Sequence, residues 1–241
     1  MVPRERILLM ATILFVSSTG SEFAGLTRCM HAVDLRWPVD YSREILNDGD
    51  RWILIANGAG AELAVEAFHI ARERVAIDAV VSTGYCGALD PSFEAASVFV
   101  ANEIRSAKRS YPAAWMTMPK AAAVGSMFGA DRVVQSAGEK RLLREQTGAS
   151  AVDMESHGLA EAAATLGIPF HCVRAVTDIA GEDMNFDFNA ARDADGRIRG
   201  ARVLRLGLRH PLAHLPELCK LGYRGWRASI QLGDFLAACR F

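Results

Sequence analysis

The stretch Ala149–Asp183, ASAVDMESHGLAEAAATLGIPFHCVRAVTDIAGED, constrains the fold more than any other part of the chain, because two short apolar runs bracket a run of helical composition. Ser150–Asp153 reads as a short strand closed by Met154 and Glu155. Leu159–Leu166 is an Ala/Leu-rich helix that Gly167 and Pro169 stop, and Phe170–Val176 is the next buried strand. A strand, a helix and a strand in this order are expected to form a right-handed crossover with the strands parallel. That geometry sends Glu155 and Asp178 out at the same edge of one sheet, where open α/β folds hold ligands. The two carboxylates are therefore expected to share a crevice.

Apolar runs at Trp52–Ala56, Ala79–Thr83 and Val98–Ala101, with helical patterning over Ala61–Arg74, continue the alternation. The fold class expected is α/β, a three-layer α/β/α arrangement around a central mixed, mostly parallel sheet. A chain of 241 residues, 51% of them hydrophobic, can bury one substantial core, and no stretch reads as a linker. One domain over residues 1–241 is expected, with a basic helical extension over 201–241. Ile7–Val16 imitates a signal-peptide core behind Arg4 and Arg6. The run is too short to span a bilayer, and a continuous apolar stretch suits a central strand buried on both faces, so it is read as the first strand.

Charge is near balance overall, at −1, but Arg197–Phe241 holds nine Lys/Arg against two Asp/Glu. Nucleic-acid binding is not expected from a Leu-rich tail without a recognition motif in a chain that is not basic. Two readings of Val203–Phe241 stand: helices that close the sheet and form an interface between copies, or a basic, apolar surface that meets a membrane or a lipid-bearing ligand. Pro211 and Pro216 are expected to break any single long helix there. Five cysteines without metal-ligand spacing, and odd in number, argue for a reducing cytoplasm and against a disulfide framework or a metal. Asp187–Gly200, with Asp195-Gly196, reads as a polar loop able to act as a lid.

Val152-Asp153-Met154-Glu155 and Arg174-Ala175-Val176-Thr177-Asp178 carry a resemblance to a known family. They resemble the V-[DE]-M-E and R-A-[IV]-[ST]-D runs of nucleosidases in the purine nucleoside phosphorylase and nucleosidase superfamily. The wording AVDMESHG and GIPFHCVRAV, with the basic tail, is most similar to its hopanoid-associated phosphorylase branch. The resemblance implies a nucleoside phosphorylase-like fold and cleavage of a purine N-ribosyl bond by water or phosphate. It also implies adenine as the base, a lipid-bearing 5′ group in that branch, no cofactor beyond phosphate as a possible co-substrate, and a homo-oligomer. A non-catalytic nucleoside- or lipid-binding protein on the same fold is the alternative.

The same resemblance distributes roles over this chain. Asp178 is the acid for the departing base, and Glu155 the acceptor of both ribose hydroxyls, with Met154 below the sugar. Arg174 either orients Asp178 or pairs with an interior acid. Glu22, three residues after Thr19, matches the glutamate of G-A-M-x-x-E that activates water. Asn57-Gly58-Ala59-Gly60 is a strand-to-helix turn near the nucleophile. Ser82-Thr83-Gly84-Tyr85-Cys86-Gly87-Ala88-Leu89 resembles a strand-end loop, with Thr83 and Gly84 at the substrate. Ser82 stands where many phosphorylases place a phosphate-gripping Arg, which tilts the expectation toward water. Gly129-Ala130-Asp131-Arg132-Val133-Val134 replaces the purine-stacking segment S-G-D-x-F without its aromatic, leaving Val133 and Val134 for backbone contacts and an apolar wall.

Overall fold

The computed structural model describes residues 10–119, 122–184, 186–191, 197, 200–208 and 211–241. The Asp195-Gly196 turn and the first residues of the Ile7–Val16 run lie outside the described residues. Strand β1 (Thr12–Ser17) is flanked in parallel by β4 (Asp50–Ala56) and β5 (Ala79–Ala88). Beyond β4, β3 (Tyr41–Asn47) and β2 (Ala32–Asp34) add antiparallel. Alternation along β1 sends Leu14 and Val16 to one core and Ile13 and Phe15 to the other. Helices α2 (Ala61–Arg72) and α4 (Ser156–Thr165) cover the first face, through Phe68 and Leu159 among others. Helices α1 (Ala24–Cys29) and α6 (Pro211–Ala237) cover the second, through Leu26, Leu232 and Phe235. The architecture is the three-layer, mixed-sheet α/β fold expected.

At β5 the sheet divides. One edge of β5 pairs in parallel with β10 (Phe170–Asp178), while its far end, Gly87 and Ala88, pairs antiparallel with β9 (Ala151–Asp153). The remaining strands, β6 (Val98–Arg105), which also carries the short β7 (Ser110–Pro112), and β8 (Ala123–Gly129), link β10 back to β9. Five strands thus close on themselves, and the register shift between Val176 and Asp178 supplies the local bend that closure needs.

This closure corrects the crossover expected from the sequence. Because β9 is antiparallel to β5 and β10 is parallel to it, the strands on either side of α4 run in opposite senses. Val152 and Asp178 flank Gly87, and the chain running on from Val152, antiparallel to β5, brings Glu155 down to the level of Gly84 and Arg174. The carboxylates lie at two levels along β5, not at one shared sheet edge.

Three further expectations change. The segment read as a strand-end loop, Ser82–Leu89, is strand as far as Ala88, because it finds ladder partners in β10 and β9. Helix α4 starts at Ser156, before Leu159, because the Asp153 carboxylate accepts from the Ser156 N–H and hydroxyl, at 3.1 and 2.6 Å. The tail is not broken by its prolines: after α5 (Gly200–Gly207), α6 runs unbroken with Pro211 as its first residue and Pro216 inside it. Pro211 loses nothing at a position whose N–H has no intrahelical partner. Packing of Ala228, Leu232, Phe235 and Leu236 into the core offsets the single hydrogen bond lost at Pro216.

Candidate active site

Where β1, β4 and β5 end, three buried acids surround one arginine. Glu22 lies in a 3-10 turn, Gly20–Phe23, directly after β1. Its Oε1 accepts from the Ser18 hydroxyl at 2.6 Å and its Oε2 from the Ser18 N–H at 3.1 Å. Burial, opposed by those bonds, raises its pKa from 4.5 to about 7. Gly84 makes the approach possible: its φ of +121° is one that L side chains rarely adopt, and a Cβ there would collide with Glu22 Oε2.

Arg174, 1% exposed, spends its guanidinium on Asp153 at 2.6 Å, Glu155 at 3.1 Å, the Ser82 hydroxyl at 2.7 Å and the Tyr85 carbonyl at 3.3 Å. It pairs with interior acids and does not orient Asp178, which lies opposite Gly87, three β5 residues or about 10 Å beyond the Gly84 level of Arg174. Glu155 takes a second bond on Oε1 from the Gly60 N–H at 2.9 Å. The glycine turn does bring a backbone N–H to an anion, but that anion is the protein's own carboxylate. Gly60 adopts φ +111° to do so, and the Gly58 N–H is spent on the Ser18 carbonyl at 2.9 Å. Burial raises the Glu155 pKa against the pull of Arg174.

Asp178 lies three residues beyond the Gly84 level, about 10 Å along β5, opposite Gly87. It is 8% exposed, and burial raises its pKa even though the Lys140 ammonium sits 2.8 Å from Oδ2 and opposes the shift. Lys140 belongs to α3 (Ala137–Thr147), which opens with a capping box between Ser136 and Glu139.

Between these two levels is a cavity of about 290 Å³, near the lower end of the roughly 300–1,000 Å³ common for small-molecule sites. Ser18, Glu22, Glu155 and Met154 line one end and Asp178, Thr177 and Cys86 the other, while Val133, Val134, Met184, Phe188 and Leu221 form apolar walls. Of the residues expected at the site, Glu22, Val133, Met154, Glu155 and Asp178 line this cavity. Ser82, Thr83, Gly84 and Arg174 form the layer beneath it, where Thr83 Oγ1 is buried without a hydrogen-bond partner. Gly58 lines an adjoining space with Thr19, Tyr85 and Arg197.

Val133 supplies a wall, and its backbone is engaged within the protein. Its N–H donates to Asn189 Oδ1 and its carbonyl accepts from Asn189 Nδ2, both at 3.0 Å. Residues 182–184 and 186–191, the described part of the expected lid included, are stitched in place. The Gln135 carbonyl accepts from the Met184 N–H and its side-chain amide donates to the Phe186 carbonyl, both at 2.8 Å, and Arg224 clamps the Glu182 carboxylate at 2.7 and 3.1 Å, with Lys220 at 3.0 Å. Arg224 is therefore committed to the wall of the site and is not a cation facing outward to lipid. Burial pushes the Cys86 thiol well up, so it remains neutral. Lys140, Tyr85 and Leu221 were not assigned from sequence. A lysine one place after a capping box reads as solvent-facing, and no local pattern places α6 beside β5.

With Glu155 as diol acceptor, Glu155→Gln should raise KM and lower kcat on a ribonucleoside together, since an amide N–H₂ then faces a hydroxyl or Arg174. A 2′,3′-dideoxynucleoside should lose far less. Equal losses on both substrates would remove the diol role.

Residues 118–207 match the model of the phosphorylase superfamily. A 5′-methylthioadenosine/S-adenosylhomocysteine nucleosidase of Colwellia psychrerythraea is 26% identical over 176 residues, 58% of this chain and 72% of its own length. Its counterpart from Anoxybacillus flavithermus is 25% identical over 170 residues, covering 58% and 73%. Among solved structures, the Neisseria meningitidis nucleosidase in complex with methylthio-immucillin-A superposes with a TM-score of 0.69 at 18% identity, covering 95% of this chain and 97% of that one. The Colwellia psychrerythraea nucleosidase in complex with adenine gives 0.62 at 17%, covering 89% and 96%. At these identities the structural likeness establishes the fold.

Proposed function

We infer that this enzyme of the phosphorylase superfamily cleaves the N-glycosidic bond of a purine nucleoside with water as the nucleophile. The observation that carries the choice of water is Glu22: a buried carboxyl with a pKa near 7 faces the cavity beside Glu155, while the terminal nitrogens of the Arg174 guanidinium behind them are spent on Asp153, Glu155 and Ser82. A phosphate dianion would meet carboxylates there. Ionised Glu22 can take a proton from water, and protonated Asp178 can deliver one at the opposite end of the cavity.

In the step proposed, the glycosidic C–N bond breaks and its electron pair passes to the base, which takes the Asp178 proton. The ribosyl carbon, carrying positive charge, is captured by water, whose proton goes to Glu22. Both carboxyls then exchange with solvent to restore the starting state. Adenine as the base, and an adenosine with an apolar or thioether 5′ group, are supported by the nucleosidase relatives and by the apolar wall of Met184, Phe188 and Leu221.

A lipid-bearing 5′ group is the finer reading. A cavity of about 290 Å³ accommodates a nucleoside alone, so such a tail would have to leave past Leu221 along α6, whose exposed Tyr223 and Trp226 offer an apolar path. No helix among the described residues is long and apolar enough to cross a membrane.

Incubation with adenosine and 5′-substituted adenosines, with and without phosphate, tests the reaction. Free adenine and free ribose derivative at equal rates in both conditions are expected. Ribose 1-phosphate formed only with phosphate, at rates far above the phosphate-free reaction, would make the enzyme a phosphorylase. No adenine from any of them would favour a binding protein.

A further inference from the structure

A cation buried against the acid has no part in the reaction so far described. The Lys140 side chain is 0% exposed, and its three N–H groups have three acceptors: Asp178 Oδ2 at 2.8 Å, the Ile179 carbonyl at 2.9 Å and the Glu182 carbonyl at 3.3 Å. A buried ion pair is seldom worth more to stability than apolar residues of the same size, because desolvating both ions costs several kcal/mol. The charge therefore calls for an explanation other than holding the fold.

The groups facing Asp178 point to one. From α3 comes the ammonium, from β5 the neutral Cys86 thiol, from β10 the Thr177 hydroxyl at 3.3 Å, and from α6, at longer range, Arg224. Lys140 is the cation in direct contact. Fixed by two carbonyls, it cannot swing away when the carboxyl changes charge. Preorganised charge of this kind lowers a barrier where charge develops during the reaction. When Asp178 passes its proton to the base, the charge that appears is the carboxylate, and it appears against Lys140.

We propose that Lys140 is a positioning residue for the acid: it fixes the Asp178 carboxyl in the cavity and stabilises the carboxylate left as the base departs. The proposal rests on the reading of Asp178 as that acid. The proton balance is that of the hydrolysis above, since Lys140 gains and loses none.

The test compares Lys140→Met on adenosine, whose base must be protonated to leave, and on 4-nitrophenyl riboside, whose leaving group needs no proton. We expect kcat on adenosine to fall at least ~10-fold with KM changed less than ~3-fold, and the ratio of adenosine to nitrophenyl activity to fall by a similar factor. The high-pH limb of kcat/KM, where Asp178 loses its proton, should move upward, because without the ammonium the carboxylate is less favoured. Lys140→Gln, which keeps a donor but not the charge, should reproduce both effects and serves if the Met variant does not fold. Equal losses on the two substrates, or an unmoved limb, would overturn the proposal. If Asp178→Asn also loses equally on both, the acid reading itself falls. If Asp178→Asn is selective and Lys140→Met is not, only the role of Lys140 is lost.

Discussion

Asp178→Asn should retain the fold and nucleoside binding while lowering kcat on adenosine at least ~10²-fold, the range general acids contribute. The amide is isosteric, and its oxygen still accepts from Lys140 Nζ, so the buried ammonium keeps a partner. What it lacks is the proton. Burial favours the protonated carboxyl and the Lys140 charge opposes it, with burial the larger effect, so the direction of the Asp178 shift is the one an acid needs. Steady-state kinetics of the purified variant, with its thermal transition as a control for folding, provide the check. Near-native turnover would assign the proton to another group.

Glu22→Gln should be nearly as damaging, at ~10²-fold or more in kcat, because only the ionised carboxylate removes a proton from water. The native rate should rise with pH through a limb near 7, the pKa to which burial raises Glu22, and this limb should vanish in the variant. Stability carries the opposite sign. A carboxyl whose folded pKa lies above its unfolded value favours the fold while protonated, so its contribution is complete below about pH 4.5 and is lost as pH rises through 7. From pH 5 to pH 8 the loss from this one group is about 2 kcal/mol, or roughly 4–8 °C in Tm for a chain of this size. The change in Tm between those pH values should therefore be smaller in Glu22→Gln than in the native protein by about that amount. An unchanged pH dependence of both rate and Tm would remove Glu22 as the base.

The contrast between these two carboxyls and their neighbours measures how much could be read without coordinates. Alternating apolar runs specify strands because a strand's side chains alternate faces, and the Leu14/Val16 and Ile13/Phe15 split of β1 follows from that rule alone. The acids Glu155 and Asp178 stand out in the sequence because charges directly after apolar runs must either reach water or line a cavity. The sequence by itself thus determined the α/β class, several of the strands and helices, and which acids to suspect.

It did not determine how those acids are arranged. Local pattern carries no information on which edge of β5 a three-residue strand will choose. The antiparallel placement of β9 depends on long-range pairing at Gly87 and Ala88, and that pairing alone sets Glu155 and Asp178 about 10 Å apart in level along β5. Likewise Lys140 and Arg224 look like ordinary surface cations in sequence. Only tertiary packing removes one from water against Asp178 and commits the other to Glu182, because burial and charge pairing belong to neighbours brought in from distant parts of the chain.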